Sequence, residues 1–519
     1  MPALISEQFR IHNAKQFEEA FSEAAPTNMY FFIGRPQTWN TATVSGVTSY
    51  AGQVAGSQHS TSYTASPDEN NPPTPVDNFN YEKEIFDDMI SLKKVNSSGV
   101  RLVINRYNWT SGTTYSMYRP NYNADYKANS AGENASNLYN AKFYVVHDYK
   151  VYKCIYNGST PSNPNGVVST VAPTGTSTSI FTTADGYKWK FMYSIGTDDV
   201  LKFYTTSYIP TPAAWGTGSA GDPTNGVDVK AAAVDGGIDT IVVKNGGSGY
   251  TDGTYTNVPI RGDQALHGGT DAECTLVVSG GVITTATVTT AGSGYSFASI
   301  NVNSTEISGI GGGSGAILEV ILPPQGGHGF DVYRELGAKR AIVNVKLEYD
   351  ESLEFPVDSD FRRIGILRDP KDSGGVVATG STYSALTSIK FSASTTASFS
   401  VDEIVTQATT NASGRVVSWD NINKILKLYQ SEYEHVSTGT QGGSLALFSG
   451  ANAITGADST TSLTPDTTYS SSVANLSFSS GYSRPEITKY TGDIIYVENR
   501  RTISRAADQI EDVKLVVEF

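Results

Sequence analysis

Cysteine is nearly absent from the chain. Cys154 and Cys274 are the only two in 519 residues, far apart and outside any CxxC pattern. A disulfide framework and a thiolate metal site are therefore excluded, and two buried or surface thiols in a reducing compartment are expected. Basic residues are also scarce, with 37 Lys and Arg against 51 Asp and Glu and a net charge of -14. Such a chain does not bind nucleic acid by neutralising phosphates with clustered cations. No apolar run approaches the roughly 18 residues of a membrane span. The start, MPALISEQFR, lacks a basic segment followed by an apolar one. The expectation is a protein made in the cytoplasm, with neither nucleic-acid nor membrane partner. Also missing are GxxxxGK[ST], HExxH and GxSxG, the signatures of phosphate cradles, zinc peptidases and serine hydrolases. The six histidines are scattered, none within four residues of another, so neither a metal site nor a cofactor is expected. Asp87 with Asp88, and Glu82 with Glu84, read as a solvated helix face. A hydrolase stays open, because carboxylate separation in space is not visible in sequence.

What the chain has in quantity is glycine (50), tyrosine (30) and phenylalanine (20), with only 17% charged residues. Short β-prone runs separated by Gly, Ser and Asn indicate a mainly β protein of sandwich- or barrel-like domains with a few short helices. Dense and sparse segments alternate, as in a multi-domain, discontinuous core with inserted β modules. Residues 1–226 form the core, with 41–78 an exposed excursion. A Gly-rich β-repeat module occupies 227–324, the core returns at 325–371, a small β domain is inserted at 372–484, and 485–519 supplies the closing strands.

Within the core, Ile5, Phe9 and Ile11 suggest a short strand. Asn13 and Gln16 then open a helix with Phe17, Ala20, Phe21 and Ala24 on one face. Tyr30–Ile33 reads as a buried strand, and Ile85, Phe86, Met89 and Ile90 recur at helical spacing over 81–94. Val100–Ile104 is a strand, Phe143–Val146 and Tyr152–Tyr156 make a hairpin turning at His147–Lys150, and Asp185–Ile195 is a strand with an aromatic face. Val343, Val345 and Leu347 alternate with polar residues as in a half-buried strand. In the 227–324 module, GGIDTIVVKNGGSGY from Gly236 is echoed by GGVITTATVTTAGSGY from Gly280, and GGGSGAILEVIL from Gly311 starts a third copy. Repeats of this kind imply stacked hairpins with glycines at positive φ. Arg261-Gly262-Asp263, an integrin-type tripeptide, is read as coincidence.

The last 29 residues, Thr491–Phe519, carry two apolar runs separated by a charged turn, Glu498, Asn499, Arg500 and Arg501. Val513, Leu515, Val517 and Phe519 recur at spacing two. These runs read as a buried, core-closing strand pair completing a fold begun at residues 5–35.

Three stretches, NMYFFIGRPQTW (Asn28–Trp39), DGYKWKFMYSI (Asp185–Ile195) and TGDIIYVENRRTISRAADQIEDVKLVVEF, together resemble the T-even-type contractile-phage baseplate wedge subunit that forms a homodimer within each wedge. The positions that carry the resemblance are Gly34, Arg35 and Trp39; Gly186, Tyr187, Trp189 and Tyr193; and Gly492, Ile495, Tyr496, Glu498, Asn499, Arg500, Asp508, Gln509 and Glu511. The loop with Arg106, Trp109 and Tyr115 is compatible with it. Ile33 before the Gly-Arg pair and Tyr193 in place of a Phe depart mildly from the pattern. The resemblance covers the dense half of the chain and leaves both insertions without a counterpart. It implies a non-enzymatic virion protein that contacts its twin and other wedge proteins, links the inner scaffold to fibre- or spike-bearing proteins, and rearranges on host contact to trigger sheath contraction. Similar Gly-rich repeats in marine cyanobacterial myophages point to such a phage as the source. The motif residues then either tie the core together or face neighbours. The competing readings are a receptor-binding tail adhesin, whose insertions contact host glycans, and a polysaccharide-degrading tail enzyme.

Overall fold

The computed structural model describes residues 4–23, 27–36, 39, 41–44, 47–50, 70–121, 141–302, 305, 307–347, 360–430, 446–502 and 510–519, with backbone alone for 41–44, 47–50 and 80. The chain is mainly β, as its composition implies. It divides into two units, one of residues 1–18, 101–343 and 514–519, the other of 19–100 and 344–513.

In the first unit, a four-stranded antiparallel sheet runs in the order Tyr144–His147, Lys150–Tyr156, Lys188–Ser194, Phe181–Thr182. The hairpin turn places Asp148 and Tyr149 both at positive φ (48° and 55°), the type I′ geometry that matches strand twist. Tyr187, Trp189, Phe191 and Tyr193 are buried, and so are Lys190 and Met192 between them. The strand is therefore covered on both faces. A second sheet has the order Tyr208–Pro210, Val100–Asn105, Arg340–Leu347, Glu511–Glu518.

The N-terminal segment is helical from Glu7 to Glu19, so the short strand expected at Ile5–Ile11 does not form. Ile11 and Ala14, three residues apart, are its buried positions. The cap is Ser6, whose hydroxyl accepts from the Phe9 amide at 3.3 Å. Phe519 closes on this helix: its ring centre is 5.3 Å from that of Phe17, and its carbonyl accepts from Arg10 at 3.2 Å.

The repeat module has its own apolar core of Ile238, Ile241, Val258, Ile260, Leu276, Val278 and Ile283, among others. Strand Thr240–Ser248 pairs with Ser314–Ile321, so the first and third repeat copies face each other. A four-stranded sheet has the order Val282–Thr290, Ala272–Ser279, Gly253–Gly262, Ala298–Ser299. The two GSGY tetrads share one conformation: Gly247 and Gly249 have φ 66° and 76°, Gly292 and Gly294 61° and 75°. Each tyrosine ring then occupies the space beside a glycine, Tyr250 over Gly313 and Tyr295 over Gly262, where a Cβ would come within 2.4 Å and 2.7 Å of the ring.

In the second unit, a five-stranded sheet has the order Thr382–Ser384, Met89–Lys94, Met29–Gly34, Arg363–Arg368, Asp493–Asn499. A seven-stranded sheet lies wholly within residues 387–483 and closes on Ile389, Phe391, Val405, Leu426, Leu428 and Phe448. The helix expected over 81–94 is shorter, Phe79–Asp87, capped by the Asn78 side chain at 2.9 Å. Met89 and Ile90, which fit its apolar stripe, instead begin a strand. The two C-terminal runs are not partners: Asp493–Asn499 is an edge of the five-stranded sheet and Glu511–Glu518 an edge of another. Asp493–Asn499 pairs with Arg363–Arg368 and Glu511–Glu518 with Arg340–Leu347.

Candidate functional site

Strand Met29–Gly34 is buried along its whole length and ends in a bulge against Met89–Lys94 between Ile33 and Gly34. Gly34 admits close packing there, since a Cβ would stand 3.0 Å from the Asp88 carbonyl oxygen. The chain then turns at Arg35, a non-glycine residue at φ 51°. The conformation is held by the Arg35 amide, which donates to the Asp88 carbonyl at 2.9 Å. This turn delivers the Arg35 side chain into the interior, where its guanidinium lies 4.0 Å from the centre of the Trp39 ring.

Around this pair two motif residues from the C-terminal stretch, Asn499 and Arg500, assemble. The Trp39 indole N–H donates to the Arg500 carbonyl at 2.9 Å, and the Arg500 amide donates to the Arg362 carbonyl at 2.8 Å. Asn499 ends the edge strand. Its Oδ1 accepts from Arg363 Nε at 3.0 Å, and its Nδ2 donates to the Tyr81 hydroxyl and, at 2.9 Å, to the Pro73 carbonyl. Arg363 is 1% exposed in its side chain and forms a 2.5 Å ion pair with Asp88, beneath the Tyr81 ring at 5.0 Å. Arg500 reaches Glu511 at 3.4 Å and stacks over Phe361 at 5.5 Å.

Two guanidiniums, Arg35 and Arg363, thus share one interior with Asp88. Burial and the neighbouring Arg363 bring Arg35 down to about 10, so it remains a cation at neutral pH. Burial pulls Arg363 the same way, but Asp88, Tyr81 and Glu84 outweigh it and hold the charge. Glu84, on the helix, is pushed up to about 7 by burial, against the attraction of Arg363. The sign for stability follows: the folded chain keeps a proton that the unfolded chain releases above its ordinary 4.5. This contribution of Glu84 is fully present below pH 4.5 and is lost as pH rises through about 7, on the order of 3 kcal/mol in all. Urea midpoints measured from pH 5 to 8 should fall less steeply for Glu84→Gln than for the parent chain.

Asp87 and Asp88 are 2% and 6% exposed, which overturns their reading as a solvated face. Asp87 ends the helix and Asp88 caps it before the strand begins; Asp87 meets Lys489 at 3.4 Å and the Tyr490 hydroxyl at 2.6 Å. Arg363, Tyr81 and Asp88 are the parts of the cluster that sequence reasoning missed. The Arg362-Arg363 pair entering the apolar run IGIL was the one local sign of a buried cation.

The other motif residues lie elsewhere. In the second unit, Tyr496 donates its hydroxyl to the exposed Glu498 at 2.8 Å on the edge strand. Asp508 and Gln509 fall outside the described residues. In the first unit, Gly186 (φ 88°) forms the turn that Asp185 organises. The Asp185 carboxylate accepts from the Thr170 and Val171 amides and from Ser169 and Thr183, and these bonds hold it below the usual range against its partial burial. Ser169 also accepts from the Trp109 indole at 3.0 Å. Tyr187 stacks on Trp189 at 5.3 Å and 12°, while Arg106 bonds Asn108 and the Thr205 carbonyl and covers the Tyr204 ring. The Asp263 carboxylate of the RGD tripeptide is engaged by Ser296 and by the Phe297 amide, so it is committed inside its own loop. Cys154 and Cys274 are both buried free thiols.

Among the described residues, no group of three His, Cys, Asp or Glu side chains could hold a metal ion, and no helix is long and apolar enough to cross a membrane. No protein-family model matches the chain, and no curated protein is significantly similar to it in sequence.

Proposed function

We propose that the chain is a structural subunit of a contractile-phage tail, a baseplate wedge protein that pairs with a second copy of itself. In this role it links the inner wedge scaffold to peripheral fibre- or spike-bearing proteins and moves with the wedge when host contact triggers contraction. One observation supports this reading above the others. Gly34, Arg35, Trp39, Asn499 and Arg500, from two distant stretches of the chain and carrying the resemblance to the wedge family, meet in a single cluster around the buried Arg35 and Trp39. Catalytic groups must face a substrate, whereas Trp39, Arg35, Arg363 and Asp88 face one another. A subunit that turns as a rigid element among its neighbours needs its chain ends fixed, and a closed network of this kind fixes them.

Gold-labelled antibody against this chain, applied to intact virions, is expected to mark the baseplate. Label confined to the fibres would overturn the proposal in favour of an adhesin. Light scattering of the purified protein at micromolar concentration should report a dimer, and a strictly monomeric species would count against the wedge assignment.

A further inference from the structure

Lys153 sits in the middle of strand Lys150–Tyr156 with no exposed surface. Its Nζ lies 2.6 Å from Oε2 of Glu335 and 2.9 Å from Nδ1 of His328, and 4.1 Å from the centre of the Tyr118 ring. The second Glu335 oxygen, Oε1, accepts from two main-chain amides, Gly329 at 2.7 Å and Asp331 at 3.3 Å. His328 packs edge-on against Tyr118, with ring centres 5.0 Å apart. The segment that carries it turns at Gly326, Gly327 and Gly329, all at positive φ. Burial, seconded by the nearby Lys153, holds His328 neutral, and burial draws the Lys153 ammonium below its usual range against the pull of Glu335.

An ion pair this deep gives up the hydration of both charges, and two features exceed what an ion pair requires. One carboxylate oxygen is clamped between amide donors, the arrangement that stabilises negative charge developing on an acyl oxygen. The amine also touches a neutral imidazole nitrogen able to accept its proton. We propose that Lys153 and Glu335 form an intramolecular isopeptide bond, with His328 carrying the proton.

The ammonium first passes one proton to Oε2, leaving an amine beside a carboxylic acid. Nζ attacks Cδ, a C–N bond forms, and the negative charge moves onto Oε1 between the Gly329 and Asp331 amides. His328 Nδ1 removes a second proton from the nitrogen and returns it to the Oε2 hydroxyl. The Cδ–Oε2 bond then breaks and one water leaves. Three ammonium hydrogens become one on the amide and two on water, with no net change of charge and no redox partner. The bond would staple the strand to the short helix Val332–Leu336 across 182 positions of chain.

Mass spectrometry of the denatured full-length protein tests this directly. The expected mass is lower than the sequence mass by one water, and digestion should release a branched peptide joining Lys153 to Glu335. Dehydration to a succinimide at an Asp-Gly pair such as Asp252-Gly253 gives no branched peptide and would not support the bond. Lys153→Met should restore the full mass. If that variant fails to fold, His328→Phe, which keeps a ring against Tyr118, should slow the linkage so that both masses coexist and converge on incubation. The full sequence mass in the folded parent protein, with no branched peptide, would overturn the proposal and leave a buried ion pair.

Discussion

Asp88→Ala is expected to cost the second unit about 3–5 kcal/mol, the range for breaking a buried ion pair from one side. Asp88 is the anion that faces Arg363 at 2.5 Å and attracts Arg35 as well. Without it, two guanidiniums remain in one desolvated interior and repel each other. Arg363→Met should cost less, because Arg35 is left to balance Asp88 and the methionine stem keeps part of the packing beneath Tyr81. The double variant should recover part of the loss, since it removes a pair and not a partner. Urea unfolding followed by circular dichroism and tryptophan fluorescence supplies the three numbers. A cost for Asp88→Ala under about 1 kcal/mol, the value of an exposed pair, would mean that water reaches the cluster. The comparison also bears on the wedge proposal, because Arg35, Trp39 and Asn499 share partners with this ion pair and should loosen with it.

Periodicity revealed the longer core strands because burial on one or both faces leaves a direct trace in the spacing of apolar residues. The buried strand at Tyr30–Ile33 and the hairpin at His147–Lys150 follow from pattern alone. Where the reading failed, a local pattern supported two structures and a distant contact chose between them. Met89 and Ile90 continue a helical stripe, yet strand Met29–Gly34 offers hydrogen bonds on that side and the chain extends to take them. The C-terminal runs alternate as strands should, but alternation does not name a partner. The candidate site was legible only as separate motifs. Asp88 and Arg363 stand 275 positions apart, and nothing in either neighbourhood announces the other. Asp87-Asp88 at a helix end resembles a solvated pair, and only the fold shows that both are enclosed. His328 and Glu335 were equally silent, since a lone histidine and a helical glutamate are ordinary in sequence.

The second large effect is expected at Trp189. Its side chain is fully buried, stacked on Tyr187 and edge-on to Tyr115 at 6.1 Å, within the aromatic-rich core of the first unit. Trp189→Ala should cost about 3–5 kcal/mol, the transfer free energy of the ring plus the cavity it leaves. Its neighbour makes a different contribution. The Tyr187 hydroxyl accepts from the Tyr115 amide at 3.1 Å and donates to the Val167 carbonyl at 2.6 Å, so Tyr187→Phe keeps the packing but strands a buried amide, at about 1–3 kcal/mol. The Trp189 indole N–H, by contrast, is buried with no hydrogen-bond partner among the described residues. Trp189→Phe therefore removes volume and an unsatisfied donor together, and the two effects oppose each other. Its cost should come out below half that of Trp189→Ala and close to that of Tyr187→Phe. Thermal and urea unfolding of the three variants would separate these terms. If Trp189→Phe proved as damaging as Trp189→Ala, the indole N–H would have to be bonded after all, and the strand would owe its stability to a polar contact and not to the stacked ring.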